Sequence, residues 1–282
     1  MALDQAGQVI HQGQAGSANL VSTPERRLRS NLLQATRECP NADFICGCFA
    51  GLMTQQDRSR AEGYLASIFP MAKVHAEPDF AAAFSASESG TDICVIAGTG
   101  SLVCSRINGR MVKSGGRGFI LGDEGSAYQV GKEALLHFFQ KPEDVSDSFR
   151  ETLVKQFDAT DEPTIISRLY QQPSPQSALA KLAKALAHDA KESRPYAITI
   201  VEHQMSSLSR VVARHALRHF SNAPELKLTL AGGLWQNAPH FRDAFNQRLR
   251  ENLPNMNLEV HRIVKPPVYG AVMLAKELAR VH

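Results

Sequence analysis

The sequence of 282 residues has little net charge, because 31 lysines and arginines oppose 28 aspartates and glutamates and leave a formal charge of +3. It has no block of basic residues either, so we expect neither nucleic acid nor an anionic membrane as the main partner. The longest mostly apolar run, residues 44–53, is interrupted by two glycines and is too short to cross a bilayer.

Paired cysteines are missing as well. The chain has five cysteines, an odd number without C-x-x-C spacing, which is typical of reduced thiols in the cytoplasm. The first residues have neither the basic start nor the apolar stretch of a signal peptide. We therefore expect a cytoplasmic protein of ordinary composition, with 43% hydrophobic and 21% charged residues.

Short apolar segments alternate with helical periodicity along the chain, which predicts an α/β protein. We expect strands at residues 43–48, 92–97, 101–107, 110–113, 227–231 and 257–260. The pair Asn108-Gly109 predicts a tight hairpin turn. Residues 131–220 have helical periodicity and almost no strand signal. Within them, Leu179, Leu182 and Leu186 form one apolar stripe, and Ile198, Val201, Met205, Leu208 and Val212 form another.

Three glycine-rich stretches contain most of the candidate chemistry. In the first, Gly98-Thr99-Gly100-Ser101, a predicted strand reverses at once and offers backbone N–H groups and two hydroxyls. Glycine permits the close approach that a phosphate needs, although ordinary hairpin turns have similar glycines. The third stretch, Gly232-Gly233 between a strand and a helix, either lets a flat nucleoside lie against the backbone or simply makes a tight turn.

The second stretch covers residues 115–128 and combines glycines with adjacent carboxylates. We expect Phe119-Ile120-Leu121, which precede Asp123, to be buried. We expect a helix to begin after Asp123, near Ser126. A carboxylate in this place could accept hydrogen bonds from sugar hydroxyls or could favour the helix start. The residues alone leave both interpretations open.

Together these stretches resemble the N-acetylglucosamine kinase branch of the sugar kinase, chaperone ATPase and actin superfamily, and more broadly the BadF/BadG/BcrA/BcrD-type ATPases. The matching motifs are GTGS at 98–101, GGRGFILGDEGSAY at 115–128 and LAGGLWQ at 230–236. GSAN at 16–19 resembles the sugar-contacting loop of the family, and HAEPD at 75–79 resembles its segment with the catalytic aspartate. YGA at 269–271 resembles the start of its closing helix.

This resemblance implies an α/β, two-lobed ribonuclease H-like (actin-like ATPase) fold with a cleft between the lobes. Residues 1–89 and 269–282 would form the first lobe, and residues 90–268 the second, with a helical insertion. The implied reaction is ATP-dependent phosphorylation of the 6-hydroxyl of N-acetylglucosamine or glucosamine, with ATP and Mg²⁺ as cofactors. A homodimer is common in such folds.

The resemblance also assigns site residues. Asp79 would be the general base, although the residues alone favour a helix N-cap at this position. The implied sugar-binding residues are Asn19, Asp79, Ser101, Gly116, Arg117, Gly118 and Asp123. The implied ATP-binding residues are Gly98, Thr99, Gly100, Gly232 and Gly233.

One motif of the family is not found. Its members begin with a strand and D-G-G-G-T-K-T, whose aspartate helps to hold Mg²⁺, whereas residues 1–10 resemble the segment that comes after that loop. Asp4 lies in a turn before Gly7 and is no substitute, so we assign no metal ligand and expect the first strand of lobe one to be absent. Charge stabilisation dominates phosphoryl transfer, so a low rate is expected.

Two other functions therefore stay open: a non-catalytic sugar- or nucleotide-binding paralogue, and an ATPase that activates a partner reductase. Other features are interpreted as structural. We expect His215 and His219 to lie on a solvated basic helix face rather than to bind zinc. We expect Cys46, Cys48 and Cys94 to be small buried apolar residues.

Overall fold

The computed structural model describes residues 1–39, 41–236 and 238–281. Contacts within the chain group it into two compact units: Met1–Ser89 with Ile263–His282 form unit 1, and Gly90–Arg262 form unit 2. The lobe boundaries implied by the resemblance stay a prediction. No helix among the described residues is long and apolar enough to cross a membrane.

Unit 1 combines short strands with four helices. Its strands are β1 (Ala2–Leu3), β2 (Val9–His11), β3 (Phe44–Phe49) and β4 (Lys73–Pro78), and its helices are α1 (Glu25–Ala35), α2 (Gln55–Ile68), α3 (Asp79–Ser85) and the final helix (Pro267–Val281). β1 and β2 pair antiparallel, and β3 and β4 form a separate parallel pair in which Cys48 lies opposite Glu77. No described residue forms a strand that joins these two sheets.

Side chains of α1, α2, β3 and β4 form the core of unit 1, which includes Leu28, Phe49, Tyr64 and Leu65. α2 begins with a reciprocal cap, because Thr54 Oγ1 accepts from the backbone of Asp57 while the Asp57 carboxylate accepts from the backbone of Thr54. β4 was not predicted, although Lys73, His75 and Glu77 alternate with the apolar residues between them, as in a half-buried strand.

Unit 2 contains a five-stranded sheet, and the predicted α/β fold is confirmed. The strands are β5 (Ile93–Ala97), β6 (Ser101–Ile107), β7 (Arg110–Gly115), β8 (Glu225–Ala231) and β9 (Asn257–Arg262). Their order is β7-β6-β5-β8-β9, where β5, β8 and β9 are parallel and β6 and β7 are antiparallel. The predicted hairpin turn is also confirmed, since Asn108 and Gly109 have φ values of 50° and 77°.

The described residues of unit 2 also form seven α-helices, which lie among and between these strands. They are α4 (Ala127–Gln140), α5 (Asp147–Phe157), α6 (Glu162–Tyr170), α7 (Pro175–Ala180), α8 (Leu182–Lys191), α9 (Pro195–His219) and α10 (Pro239–Asn252). The final helix of the chain, in unit 1, is therefore α11. Two 3₁₀ turns cover Pro142–Asp144 and Gly233–Trp235. The predicted apolar stripe of α9 is buried except at Ile198, which is 38% exposed. The predicted leucine stripe is buried but is divided between α7 and α8 at Lys181.

The prediction of a buried Phe119-Ile120-Leu121 segment is wrong. The three side chains are 39%, 80% and 73% exposed. The segment lies in the loop between β7 and α4, directly after Gly118, which has a φ of +80°. Since no strand forms there, nothing turns its apolar side chains toward the core.

The prediction of a solvated His215 is also wrong. The side chain is fully buried, where Nε2 lies 2.9 Å from Ser105 Oγ on β6 and Nδ1 lies 2.8 Å from Ser114 Oγ on β7. These contacts attach α9 to two strands of the sheet. Burial, with smaller contributions from the positive charges of His219 and Arg218, lowers the pKa of His215 to about 4.

This burial predicts a loss of stability in acid. In the unfolded chain a histidine takes up a proton near pH 6.5, whereas folded His215 resists protonation down to about pH 4. The contribution of His215 to stability is therefore complete above pH 6.5 and falls as the pH drops from 6.5 toward 4. In His215→Gln we expect about 1–3 kcal/mol lower stability at pH 7.5, because buried hydrogen bonds change, but a shallower decline in acid.

Urea unfolding at four pH values between 7.5 and 4.5 measures both effects. The control variant is His203→Gln, which changes an exposed histidine beside Glu133 and should keep the wild-type slope. An identical acid slope in His215→Gln and the wild type would contradict the assignment.

Candidate functional site

The turn at residues 98–101 joins the end of β5 to the start of β6. Ala97 and Ser101 lie opposite each other in the antiparallel pair, and the Gly98 N–H donates to Gly100 O at 2.9 Å. The N–H groups of Thr99 and Gly100 donate to no described residue. Two neighbouring N–H donors without partners in a tight turn can bind an anion such as phosphate.

The start of α4 lies against the same turn. The N–H of Ala127 donates to Gly98 O at 2.8 Å, and the N–H of Tyr128 donates to Thr99 O at 3.3 Å. Ser126 caps the helix, as predicted, because its hydroxyl accepts from the N–H of Gln129 at 3.3 Å. The partial positive charge of a helix N-terminus therefore lies beside the turn and favours an anion there.

Asp123 lies directly under this turn. A Cβ atom placed on Gly100 would lie 2.8 Å from Asp123 Oδ2, so a side chain at position 100 would collide with the carboxylate. Asp123 is 7% exposed and has a φ of +62°, a backbone conformation that costs energy for a residue other than glycine. Burial raises the pKa of Asp123; the N–H of Ser101 opposes this by donating to the carboxylate, and the charge of Glu124 adds to it.

Neighbouring side chains hold the Asp123 segment in place. Ser101 Oγ donates to Glu124 O at 2.8 Å and so joins the 98–101 turn to the 122–125 turn. Gln129 Nε2 donates to Gly122 O at 3.1 Å, and Gln204 Oε1 accepts from the N–H of Gly125 at 3.2 Å. Neither glutamine was predicted, although a polar residue within the apolar stripe of α9 is a visible signal for Gln204.

The glycines after β8 lie beside the 98–101 turn. A Cβ on Gly232, which has a φ of +106°, would lie 2.2 Å from Ala97 O, whereas a Cβ on Gly98 would lie 3.9 Å from Gly233 N. A Cβ on Gly233 would meet no heavy atom within 4 Å. Because β5 and β8 are parallel neighbours, their carboxyl ends bring these turns together, and open space remains next to Gly233.

The segment 116–118 contacts both neighbouring stretches. Gly116 has a φ of +60°, and a Cβ there would lie 2.9 Å from Leu102 Cβ. A Cβ on Gly122 would lie 3.4 Å from Arg117 Cβ, while a Cβ on Gly118 would meet open space. Arg117 and Gly118 are exposed. The predicted ATP-binding residues and the predicted sugar-binding residues of unit 2 thus lie in one connected group of turns.

Unit 1 contains the other two predicted site residues. Asn19 shapes its own loop, since Oδ1 accepts from the N–H groups of Val21 at 2.9 Å and Ser22 at 3.0 Å, whereas its amide nitrogen donates to no described residue. Asp79 is exposed and is the first residue of α3, directly after β4. The N-cap position is Pro78, so the helix-cap interpretation of Asp79 is wrong.

The strand before Asp79 carries a network of charged side chains that the sequence analysis missed. His75 Nε2 lies 2.9 Å from Glu77 Oε1, Arg58 donates to Glu77 Oε2 at 3.2 Å, and Glu62 Oε1 accepts from the N–H of Ala76 at 3.2 Å. Burial disfavours the charge of Glu77, but hydrogen bonds from His75 and Arg58 outweigh it and lower the pKa of Glu77 to about 2. The same hydrogen bond to Glu77 raises the pKa of His75 despite burial.

Cys46 and Cys48 share one face of β3 and are half-buried rather than buried, which corrects the expectation for these two residues; Cys94 is buried as expected. A hydrogen bond between the two thiols, then burial and the negative charges of Glu77 and Asp79, raise the pKa of Cys48. A protonated thiol is a poor nucleophile and a poor metal ligand.

The amino-acid sequence of the chain is similar to that of a known protein family and of two curated kinases. Residues 1–275 match the BadF/BadG/BcrA/BcrD ATPase family. The chain belongs to this family. An N-acetylmuramic acid/N-acetylglucosamine kinase of Clostridium acetobutylicum is 26% identical over 271 residues, which cover 86% of this chain and 79% of that protein. An N-acetyl-D-glucosamine kinase of Dictyostelium discoideum is 30% identical over 214 residues, 68% of this chain and 63% of that protein.

Solved structures share the fold. A candidate N-acetylglucosamine kinase from Porphyromonas gingivalis has a TM-score of 0.73 at 20% identity, with 96% of this chain and 93% of that chain covered. A ROK family glucokinase from Streptomyces griseus, solved with glucose and AMPPNP, has a TM-score of 0.58 at 15% identity, with 91% and 90% covered. The predicted actin-like ATPase fold is thereby confirmed, and family membership implies that the chain uses ATP.

Two adjacent glycines provide a test of the predicted nucleotide contact. Gly233→Ala adds a methyl group to open space, so we expect normal stability but weaker ATP binding if adenosine lies against this backbone. Gly232→Ala forces a Cβ into Ala97 O at a φ of +106°, so we expect it to destabilise the fold. Thermal unfolding and calorimetric titration with ATP measure the two effects. Unchanged ATP affinity in Gly233→Ala would contradict the contact.

Proposed function

We propose that the protein is an ATP-dependent sugar kinase that phosphorylates the 6-hydroxyl of N-acetylglucosamine or glucosamine. The observation that carries this proposal is the 98–101 turn, whose unpartnered N–H groups lie at the start of α4 and next to the buried carboxylate of Asp123. Phosphoryl transfer needs donors around the phosphates and an aligned hydroxyl, and this group of turns can provide both. The names of the two curated relatives support an amino sugar as substrate.

In this proposal the backbone of unit 2 binds ATP. Thr99 and Gly100 bind phosphate oxygens through their N–H groups, with the Thr99 hydroxyl as a further donor. Gly233 leaves open space for the nucleotide, while Gly98 and Gly232 let the backbones of the two turns lie close together so that the nucleotide can lie against them. The start of α4 adds favourable electrostatics for the negative charge.

The sugar is bound by side chains that the structure holds in defined positions. Asp123 accepts hydrogen bonds from sugar hydroxyls, as carboxylates do well, and its fixed conformation reduces the entropic cost of binding. Ser101, whose hydroxyl donates to Glu124 O, keeps an oxygen that can accept from a sugar hydroxyl. The backbone of Gly116, Arg117 and Gly118 lines the sugar site, and the amide nitrogen of Asn19 donates to the sugar.

Asp79 acts as the general base in this mechanism. Its exposed carboxylate at the end of β4 accepts the proton of the 6-hydroxyl as the oxygen attacks the γ-phosphate of ATP. The network of Arg58, His75 and Glu77 holds the end of β4 rigid and keeps Glu77 ionised.

ATP would bring Mg²⁺ to the site. This ion keeps several waters and binds largely through substrate phosphates in kinases, where it neutralises charge on the transferred group. We assign no described side chain as its ligand. We further propose a cytoplasmic location and a homodimer.

A second candidate function, binding of sugar and nucleotide without turnover, is favoured by one observation in unit 1. Among its described residues the pairs β1–β2 and β3–β4 form separate sheets, so no continuous sheet fixes the end of β4 where Asp79 lies. An activator of a partner reductase is disfavoured by the cysteine pattern, since Cys46, Cys48, Cys94 and Cys104 lie within strands rather than in a glycine-flanked loop.

Replacement of Asp79 tests the proposed mechanism. In Asp79→Asn we expect kcat for ADP release with N-acetylglucosamine to fall about 10²–10⁴-fold with little change in KM, because the base is lost while binding remains. The matched control is Asp147→Asn, since Asp147 is likewise an exposed aspartate at the first position of a helix, α5. Glucosamine and glucose serve as comparison substrates.

The outcomes separate the candidate functions. Equal rates for Asp79→Asn and the wild type would remove Asp79 from the mechanism. If the wild type binds N-acetylglucosamine and ATP in calorimetry but releases no ADP, the non-catalytic function is supported instead.

A further inference from the structure

Three potential metal ligands meet at the carboxyl end of α8, within unit 2. His188 Nδ1 lies 3.7 Å from Glu192 Oε1 and 3.9 Å from Asp189 Oδ1, and the ligand atoms of the three residues all lie within 4.8 Å of one another. His188 and Glu192 are separated by one helical turn and lie partly exposed, whereas Asp189 is fully buried beneath them. This arrangement places one imidazole nitrogen and two carboxylate oxygens around a common point.

The two oxygens of Asp189 have different environments. Oδ2 accepts from the N–H of Ser146 at 3.1 Å and from the hydroxyl of Tyr196. Oδ1 is buried and accepts a hydrogen bond from no described residue. A buried anionic oxygen without a partner is costly, and its 3.9 Å separation from His188 Nδ1 is too long for a hydrogen bond. A cation between Oδ1 and Nδ1 would satisfy both atoms.

The neighbouring charges leave this point available to a cation. Arg194 Nε binds Glu192 Oε2 at 3.2 Å, which holds the carboxylate and leaves Oε1 toward His188. The other end of the Arg194 guanidinium donates to Asp144 O at 3.0 Å. Arg194 is therefore engaged by Glu192 Oε2 and Asp144 O, and Glu192 Oε1 remains available to a cation.

We propose that His188, Asp189 and Glu192 bind a divalent transition metal ion of the zinc type, with water as a further ligand. One imidazole and two carboxylates suit Zn²⁺, whereas Ca²⁺ and Mg²⁺ prefer oxygen ligands alone. Ligands about 2.0–2.1 Å from a tetrahedral ion lie about 3.3 Å apart. The separations of 3.7 and 3.9 Å from His188, and of at most 4.8 Å for any pair, therefore require the exposed His188 and Glu192 side chains to rotate toward Asp189.

Such an ion would stabilise the helical part of unit 2. Asp189 already connects three helices, because Ser146 is the N-cap of α5 and Tyr196 lies in the first turn of α9. The N–H of Arg194 also donates to Asp189 O at 3.0 Å, at the connection between α8 and α9. The proposed site is independent of the sugar and ATP residues, so it can be tested separately from the proposed function.

The test is a Zn²⁺ titration of the full chain after treatment with a chelator, by calorimetry and by thermal unfolding. We expect one ion per chain and a higher Tm with Zn²⁺, because an ion that binds the folded state stabilises it. In His188→Ala the affinity should fall more than tenfold, since loss of even an outer-shell partner costs about 10–100-fold. The rise in Tm should also disappear.

The matched control is His203→Ala. His203 is an exposed histidine 3.0 Å from Glu133 Oε1, but no buried unpartnered carboxylate oxygen among the described residues adjoins this pair. This variant should bind Zn²⁺ as the wild type does. The proposal is overturned if the wild type binds no Zn²⁺ at millimolar concentration, or if His188→Ala keeps wild-type affinity and Tm shift. It is also overturned if bound Co²⁺ shows the absorption of thiolate ligands.

Discussion

Crowding of the backbone at the carboxyl ends of β5 and β8 constrains the candidate site. Ala97 O lies where a Cβ of Gly232 would be, and the carboxylate of Asp123 lies where a Cβ of Gly100 would be. Glycine is therefore required by packing at both positions and, at Gly232 with its φ of +106°, by backbone conformation as well. The same close approach excludes a side chain at position 100, and the N–H groups of Thr99 and Gly100, beside the start of α4, donate to no described residue.

The sheet of unit 2 could be predicted because its signals are local. Apolar runs predict β5 and β8, and Asn108-Gly109 predicts the hairpin between β6 and β7. Short motifs likewise predicted the turns around Gly98 and Gly232, because a glycine directly after a predicted strand usually marks a turn. β4 also alternates polar and apolar residues, but its signal is a single six-residue segment whose polar side chains His75 and Glu77 contact Glu62 and Arg58 of α2.

Long-range contacts account for the features that the sequence did not predict. His215 follows the pattern of a basic helix face, yet Ser105 and Ser114, about a hundred positions earlier, accommodate it within the core. Gln204 supports the Gly125 turn over a similar separation. No local pattern contains such partners. The exposed loop of Phe119, Ile120 and Leu121 shows the opposite error, because an apolar run predicts burial only where a regular element directs the side chains inward.

The central claim is that backbone N–H groups of the unit 2 turns bind the phosphates of ATP. Hydrogen–deuterium exchange with and without a non-hydrolysable ATP analogue tests it directly, because a donated N–H exchanges slowly. The account predicts slower exchange in peptides that contain residues 98–101 and 231–236, with the His215 region of α9 unchanged. Unaltered exchange in both turns at saturating nucleotide would contradict it.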